Sequence, residues 1–138
     1  MTNAITFSNP ATVHAPAGGY THGVTVPAGA RTLYVSGQVG LRPDGSVGKT
    51  LAEQADQAYR NLGAILEANG FRLSDIVKLT TYVVAGQSGA EMRTVRAAYL
   101  GAHKPAATAV YVAELFAPEW LVEVEAIAWR ADEGDAGF

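Results

Sequence analysis

Residues 50–70 read TLAEQADQAYRNLGAILEANG, and residues 76–84 read IVKLTTYVV. In the first stretch Leu51, Ala55, Ala58, Leu62, Ile65 and Leu66 recur at intervals of mostly three and four. That spacing draws one apolar stripe along a helix. Thr50 and Glu53 have the spacing of a capping box, which satisfies two otherwise orphan backbone donors. Gly70 stands where a left-handed cap ends a helix. The second stretch is rich in β-branched residues and reads as a strand. A one-sided helix followed at once by a strand points to helices laid on a sheet.

Working outward, a second helix is expected over Ala90–Leu100, with Met92, Val95 and Tyr99 on one face and Gly101 near its end. Thr32–Val39 reads as a strand, followed by a turn at Arg42-Pro43-Asp44-Gly45. In that turn Pro presets φ and Gly tolerates φ > 0. Shorter strands are expected near Ile5–Phe7 and over Tyr20–Val26, with a Pro-, Ala- and Gly-rich loop at Asn9–Gly19 between them. Ala107–Val112 and Leu121–Arg130 are the last two strands. The order is β-β-β-α-β-α-β-β. Two helices cannot cover both faces of such a sheet, so the fold class is α+β, two layers, with both helices on one face.

The other face must then be polar or covered by a partner. In the last strand Val122, Val124, Ala126 and Ala128 share one side, and Leu121, Glu123, Glu125, Ile127 and Trp129 the other. In the strand at 76–84, Val77, Leu79, Thr81 and Val83 alternate with Ile76, Lys78, Thr80 and Tyr82. A face mixing two carboxylates with Ile and Trp suits a subunit interface holding a polar pocket.

Composition narrows the function. Charged residues are 17% of the 138, below the roughly 25% usual for soluble domains. Cys is absent, which excludes a disulfide framework, a thiolate zinc site and a Cys nucleophile. No apolar run approaches the ~20 residues that span a bilayer. The first residues lack the basic start and apolar stretch of a signal peptide, so a cytoplasmic location is expected. The net charge of −3 resides in the final segment, where Asp132, Glu133 and Asp135 meet no base. The expected organisation is one domain over residues 1–130 and a flexible acidic tail over 131–138. The body is charge-balanced, which argues against a nucleic-acid partner.

Several segments coincide in order and spacing: Gly19-Tyr20-Thr21-His22-Gly23-Val24, Val35-Ser36-Gly37-Gln38-Val39, Asn61 to Gly70, Asp75-Ile76-Val77-Lys78, Lys104-Pro105-Ala106 and Leu121 to Ala128. The ordered set, covering roughly Tyr20 to Arg130, resembles the Rid family, also called YjgF, of reactive enamine/imine deaminases. The resemblance implies a chorismate-mutase-like fold, a homotrimer with pockets between neighbouring subunits, and neither metal nor organic cofactor. It also implies roles. Tyr20 matches a pocket tyrosine, Ser36 and Gly37 match a Ser-Gly pair lining the pocket, and Glu123 matches the glutamate that positions the attacking water.

One position departs from the pattern. Deaminating members carry a Pro-Ala-Arg-Ser segment whose Arg clamps the substrate carboxylate. This chain reads Pro105-Ala106-Ala107-Thr108, so Ala107 stands where that Arg would be and Thr108 replaces the Ser. A guanidinium holds a carboxylate through paired charge-assisted hydrogen bonds, which a methyl group cannot offer. The expected activity is therefore cofactor-independent hydrolysis of an imine, enamine or related reactive metabolite other than the usual 2-imino acids. The alternatives are a non-catalytic trimeric ligand-binding, regulatory or chaperone-like protein and, behind it, a ribonuclease or translation inhibitor.

The remaining candidates each have a plainer reading beside the functional one. Glu125, about 7 Å from Glu123 along the strand, forms a carboxylate pair with it or a structural contact. Ser36-Gly37 is a backbone-donor turn or a β-bulge. His22 shares a strand face with Tyr20, yet reads first as structural; His14 and His103 have no metal-site spacing. Arg93 and Arg96 read as a solvated helix face. Lys78 and Lys104 are the other cations near the altered segment, and Tyr111 and Trp120 would make a pocket aromatic.

Overall fold

The computed structural model describes residues 5–131. Its elements are β1 (Thr6–Ser8), β2 (Gly23–Thr25), β3 (Ala30–Gln38), α1 (Leu51–Ala68), a 3-10 turn (Leu73–Asp75), β4 (Ile76–Val84), α2 (Gly89–Leu100), β5 (Ala106–Val112) and β6 (Val122–Ala131). The expected order holds. The tail expected from residue 131 lies, from residue 132 on, outside the described residues, and Ala131 itself closes β6.

The main sheet runs β3-β6-β4-β5, and β1 pairs with β2 in a separate ribbon. β6 is antiparallel to both β3 and β4, whereas β5 runs parallel to β4. A parallel pair needs a crossover, and α2 supplies it. Both helices lie on one face of the sheet. Ala55, Ala58, Leu62 and Leu66 of α1 close against Leu79, Val83, Val122, Val124, Ala126 and Ala128 of the strands, all buried. This is the two-layer α+β arrangement read from the sequence.

The ends of α1 are fixed locally. The Thr50 hydroxyl accepts from the Glu53 amide at 3.2 Å. The reciprocal half of the expected box is missing: Glu53 Oε1 instead accepts the Thr50 hydroxyl proton at 2.9 Å. A first-turn amide of α1, that of Ala52, is met by Glu91 Oε1 of α2 at 3.1 Å. At the other end Gly70 takes φ +83°. Its amide donates to Glu67 O at 3.1 Å and the Phe71 amide to Leu66 O at 2.8 Å, a Schellman ending.

Two strands differ from expectation. The strand read at Tyr20–Val26 shrinks to Gly23–Thr25, because other elements claim the preceding backbone. Thr21 bridges to Ala106 in parallel and its amide donates to Pro105 O at 3.1 Å. The His22 amide donates to Asn9 Oδ1 at 2.8 Å. The arm carrying Tyr20 is thereby docked at the start of β5. In β4 a register shift between Ile76 and Lys78 breaks the alternation, so Ile76 is fully buried opposite Ala128 instead of facing outward with Lys78. A His103 ring nitrogen lies 2.7 Å from Ile76 O beside this bulge. From Lys78 onward the expected faces hold.

Among the described residues no helix is long and apolar enough to cross a membrane. Nor, among them, do three or more His, Asp or Glu side chains cluster to hold a metal ion.

Candidate functional site

β6 presents Glu123 and Glu125 on the face away from the helices, between Val122, Val124 and Ala126, which are buried under them. The neighbouring β3 is bulged between Val35 and Gln38, at Ser36-Gly37. The bulge turns the bare backbone of Gly37 toward Glu123. A Cβ there would lie 1.8 Å from Glu123 Oε2, so the carboxylate occupies the space a side chain would fill. Ser36 is exposed. Gly37, Val39, Asn61, Phe116, Trp120 and Glu123 line a cavity of about 390 Å3.

Two amides hold this region in place. Gln54, fully buried on α1, donates to Gly48 O at 2.8 Å and Glu119 O at 2.9 Å and accepts from the Leu121 amide at 2.8 Å. All its capacity but one lone pair is used, as burial requires. It fixes where the chain enters β6, two residues before Glu123. Asn61 donates to Val39 O at 3.2 Å and Leu41 O at 2.8 Å, tying the exit of β3 to α1. The sequence reading gave neither of them a role, although Asn61 opens one of the matched segments. Gln54 left a signal, since it stands three residues after Leu51 on the apolar stripe.

Glu125 is held by Tyr82, whose hydroxyl donates to Glu125 Oε1 at 2.5 Å. That bond, more than burial, holds the Tyr82 hydroxyl above its ordinary pKa.

Ala107 lies elsewhere. Its register partner on β4 is Leu79, so it faces the helix layer, on the opposite side of the sheet from Glu123. There it borders a second cavity, of about 370 Å3, with Tyr20, Met92, Arg93, Arg96 and Tyr111. Arg93 is exposed, in keeping with a solvated face, and the half-buried Arg96 borders the same cavity. Met92 and Leu100 are the buried residues of α2, which leaves its adjoining side open to the arm that carries Tyr20. The Tyr20 hydroxyl accepts from the Ala17 amide at 3.2 Å, and the Tyr111 hydroxyl accepts from the Gly89 amide at 3.0 Å.

The other candidates disperse. Thr108 pairs with Thr80 and accepts from Lys78 Nζ at 3.0 Å, on the outer face. Lys104 is exposed. His22 packs edge-on against Tyr20, with centroids 5.5 Å apart, and its Nε2 lies 2.7 Å from His14 O, a structural arrangement. Tyr111 and Trp120 line different cavities. Within one chain the residues matched to the pocket thus fall into two groups, Tyr20 with Ala107 and Gly37 with Glu123.

A family model described as Endoribonuclease L-PSP matches residues 11–130. The chain is 36% identical over 132 residues to a 2-iminobutanoate/2-iminopropanoate deaminase of Rattus norvegicus, covering 92% of this chain and 93% of the relative. It is 39% identical over 100 residues to a RutC family protein of Pyrococcus horikoshii, covering 71% of this chain and 79% of that one. The crystal structure of a Rid-family protein of unknown function from Yersinia pestis superposes with a TM-score of 0.79 at 34% identity, over 92% of this chain and 98% of that one. The breadth of these matches agrees with the ordered motifs, and the chain belongs to the Endoribonuclease L-PSP family, the Rid or YjgF proteins.

Proposed function

We propose that this protein hydrolyses the C=N bond of a reactive imine, formed directly or from its enamine, with Glu123 handling the water. The observation that carries the reading is the Glu123 carboxylate seated over Gly37 at the wall of a cavity. A carboxylate so placed can take a proton from water as its oxygen adds to the imine carbon. Glu123 returns that proton to the nitrogen, giving the neutral carbinolamine; it then takes the hydroxyl proton and passes it to the amine as the C–N bond breaks, so that ammonia leaves and the carbonyl forms. Further support is the family, several of whose members carry the name 2-iminobutanoate/2-iminopropanoate deaminase. Short 2-imino acids are expected to turn over slowly here, because Ala107 offers their carboxylate no partner.

The reading extends to a homotrimer, with each site completed between neighbouring chains. Its support is the division of the pocket residues between two sheet faces, together with the exposed Tyr34 (75%) and Phe116 (103%). No nucleic-acid or membrane partner is included, and the site is cytoplasmic in this reading.

The test is ammonia release from a panel of freshly generated imines. Glu123→Gln is expected to lose about 100-fold or more of kcat while keeping the assembly and melting curve. Mixing refolded Glu123→Gln chains with Tyr20→Ala chains is expected to restore part of the activity, since some interfaces would join two intact halves. Undiminished turnover by Glu123→Gln overturns the mechanism. Ligand binding without turnover across the panel would favour a non-catalytic binding protein.

A further inference from the structure

The cavity beside Ala107 carries more charge than its strands suggest. Arg93 and Arg96, three residues apart on α2, border the same space as Ala107, Tyr20 and Tyr111. The ion pairs among the described residues are Arg42–Glu53, Arg60–Asp56 and Arg130–Asp75. Neither Arg93 nor Arg96 has a carboxylate partner among those residues. Arg96 is half-buried, and the arm crosses it closely: a Cβ on Gly19 would lie 3.2 Å from Arg96 Nη2. Its charge is felt by the buried Tyr59 hydroxyl, which has no hydrogen-bond partner among the described residues. Met92, Val83, Ala107 and Ala109 make much of the remaining wall apolar.

A half-buried guanidinium with no counter-ion among the described residues has lost part of its hydration without electrostatic return. An anion entering the cavity would supply that return through paired, charge-assisted hydrogen bonds. Ala107 meanwhile leaves free the volume that a long side chain would occupy.

We propose that Arg96, assisted by Arg93, is the anion anchor of this cavity, and that its ligand is a carboxylate bearing an apolar chain or ring that fills the space beside Ala107. The anchor sits on α2 instead of β5, so the carboxylate and the reacting carbon are separated by that apolar body. This deepens the proposed function and rests on it only for the identity of the reacting C=N group.

The experiment is a calorimetric titration of the full chain with benzoate and with its uncharged counterpart benzamide. Benzoate is expected to bind about tenfold or more tighter than benzamide, the difference a charge-assisted pair provides. Arg96→Gln is expected to weaken benzoate about tenfold and leave benzamide unchanged, with partial recovery in Arg96→Lys. Arg93→Gln, at an exposed position, is expected to cost a smaller factor and guards against a folding artefact at Arg96. Equal affinities for the two probes, or benzoate binding untouched by both glutamine variants, overturns the proposal. Binding requires no turnover, so the two readings separate. Benzoate bound normally by Glu123→Gln upholds the anchor whatever the chemistry, and imine turnover without benzoate binding removes the anchor and leaves hydrolysis standing.

Discussion

Consecutive residues of β6 serve two different environments. Val122, Val124, Ala126 and Ala128 are almost wholly enclosed beneath α1, while Glu123, Glu125 and Ile127 between them are half-exposed on the far side. The enclosed set is small and aliphatic, and its positions are set by close packing against Leu62 and Leu66. The outer set mixes two carboxylates with Ile127, and the carboxylates are placed by single contacts: Glu123 on Gly37, Glu125 on Tyr82. One backbone thus holds the fold on one side and presents carboxylates on the other, and a change on either side should leave the other largely intact.

Leu62→Ala tests the enclosed side and should have the largest effect. Leu62 is fully buried at the centre of α1. The expected loss is about 2–5 kcal/mol in urea unfolding, from lost transfer energy and the cavity left behind. A loss below about 1 kcal/mol would mean that the helix layer is loosely packed and the comparison misdrawn.

Gly37→Ala tests the outer side. The new methyl would meet the end of a flexible Glu123 side chain, which can swing away. Stability should change by about 1 kcal/mol or less, whereas kcat should fall about tenfold or more because the carboxylate is displaced. An unfolded variant, or one with full activity, would break the separation between the two sides.

The smallest expected effect lies on the outside of the helix layer. The Tyr99 hydroxyl donates to Asp56, whose carboxyl is held below its ordinary value of 3.8, first by that bond. A lowered folded-state pKa adds stability above the unfolded value that disappears as pH falls through the folded one. Thermal melts of Tyr99→Phe should therefore lie below wild type near neutrality and converge with it as pH drops below about 4. A constant gap at all pH values would assign the effect to the hydroxyl's bond to the Asp56 carbonyl, at 3.3 Å, instead of to the carboxylate.

Much of the fold was legible because its signals are local. The stripe of α1, its Thr50 start and its Gly70 ending depend on residues within a few positions of each other. The alternation of β6 is equally local. What escaped depends on residues far apart in sequence. The reciprocal half of the cap was lost because the Thr50 hydroxyl itself turns to Glu53, while a carboxylate from α2 serves the Ala52 amide. The bulge at Ile76–Lys78 needs Ala128 opposite it, which the strand's own composition does not announce. Glu123 and Gly37 were singled out by resemblance, and their contact is geometric confirmation that they are neighbours. Arg93 is exposed as its helical position suggests; that it and Arg96 border the cavity beside Ala107 depends on where the arm bearing Tyr20 returns, which helical periodicity does not report.

Gln54 has a consequence for how this protein can change. Its amide grips the chain at Glu119 and Leu121, immediately before β6 begins. Upstream of that grip, residues 113–118 connect β5 to β6 and carry the fully exposed Phe116 between the half-buried Leu115 and Ala117. Residues can be inserted or removed there at small entropic cost, since loop closure depends only weakly on length. The carboxylate downstream would stay in register. The wall of the Glu123 cavity is therefore the part most open to remodelling, by evolution or by design, while the Glu123 carboxylate itself is insulated from it.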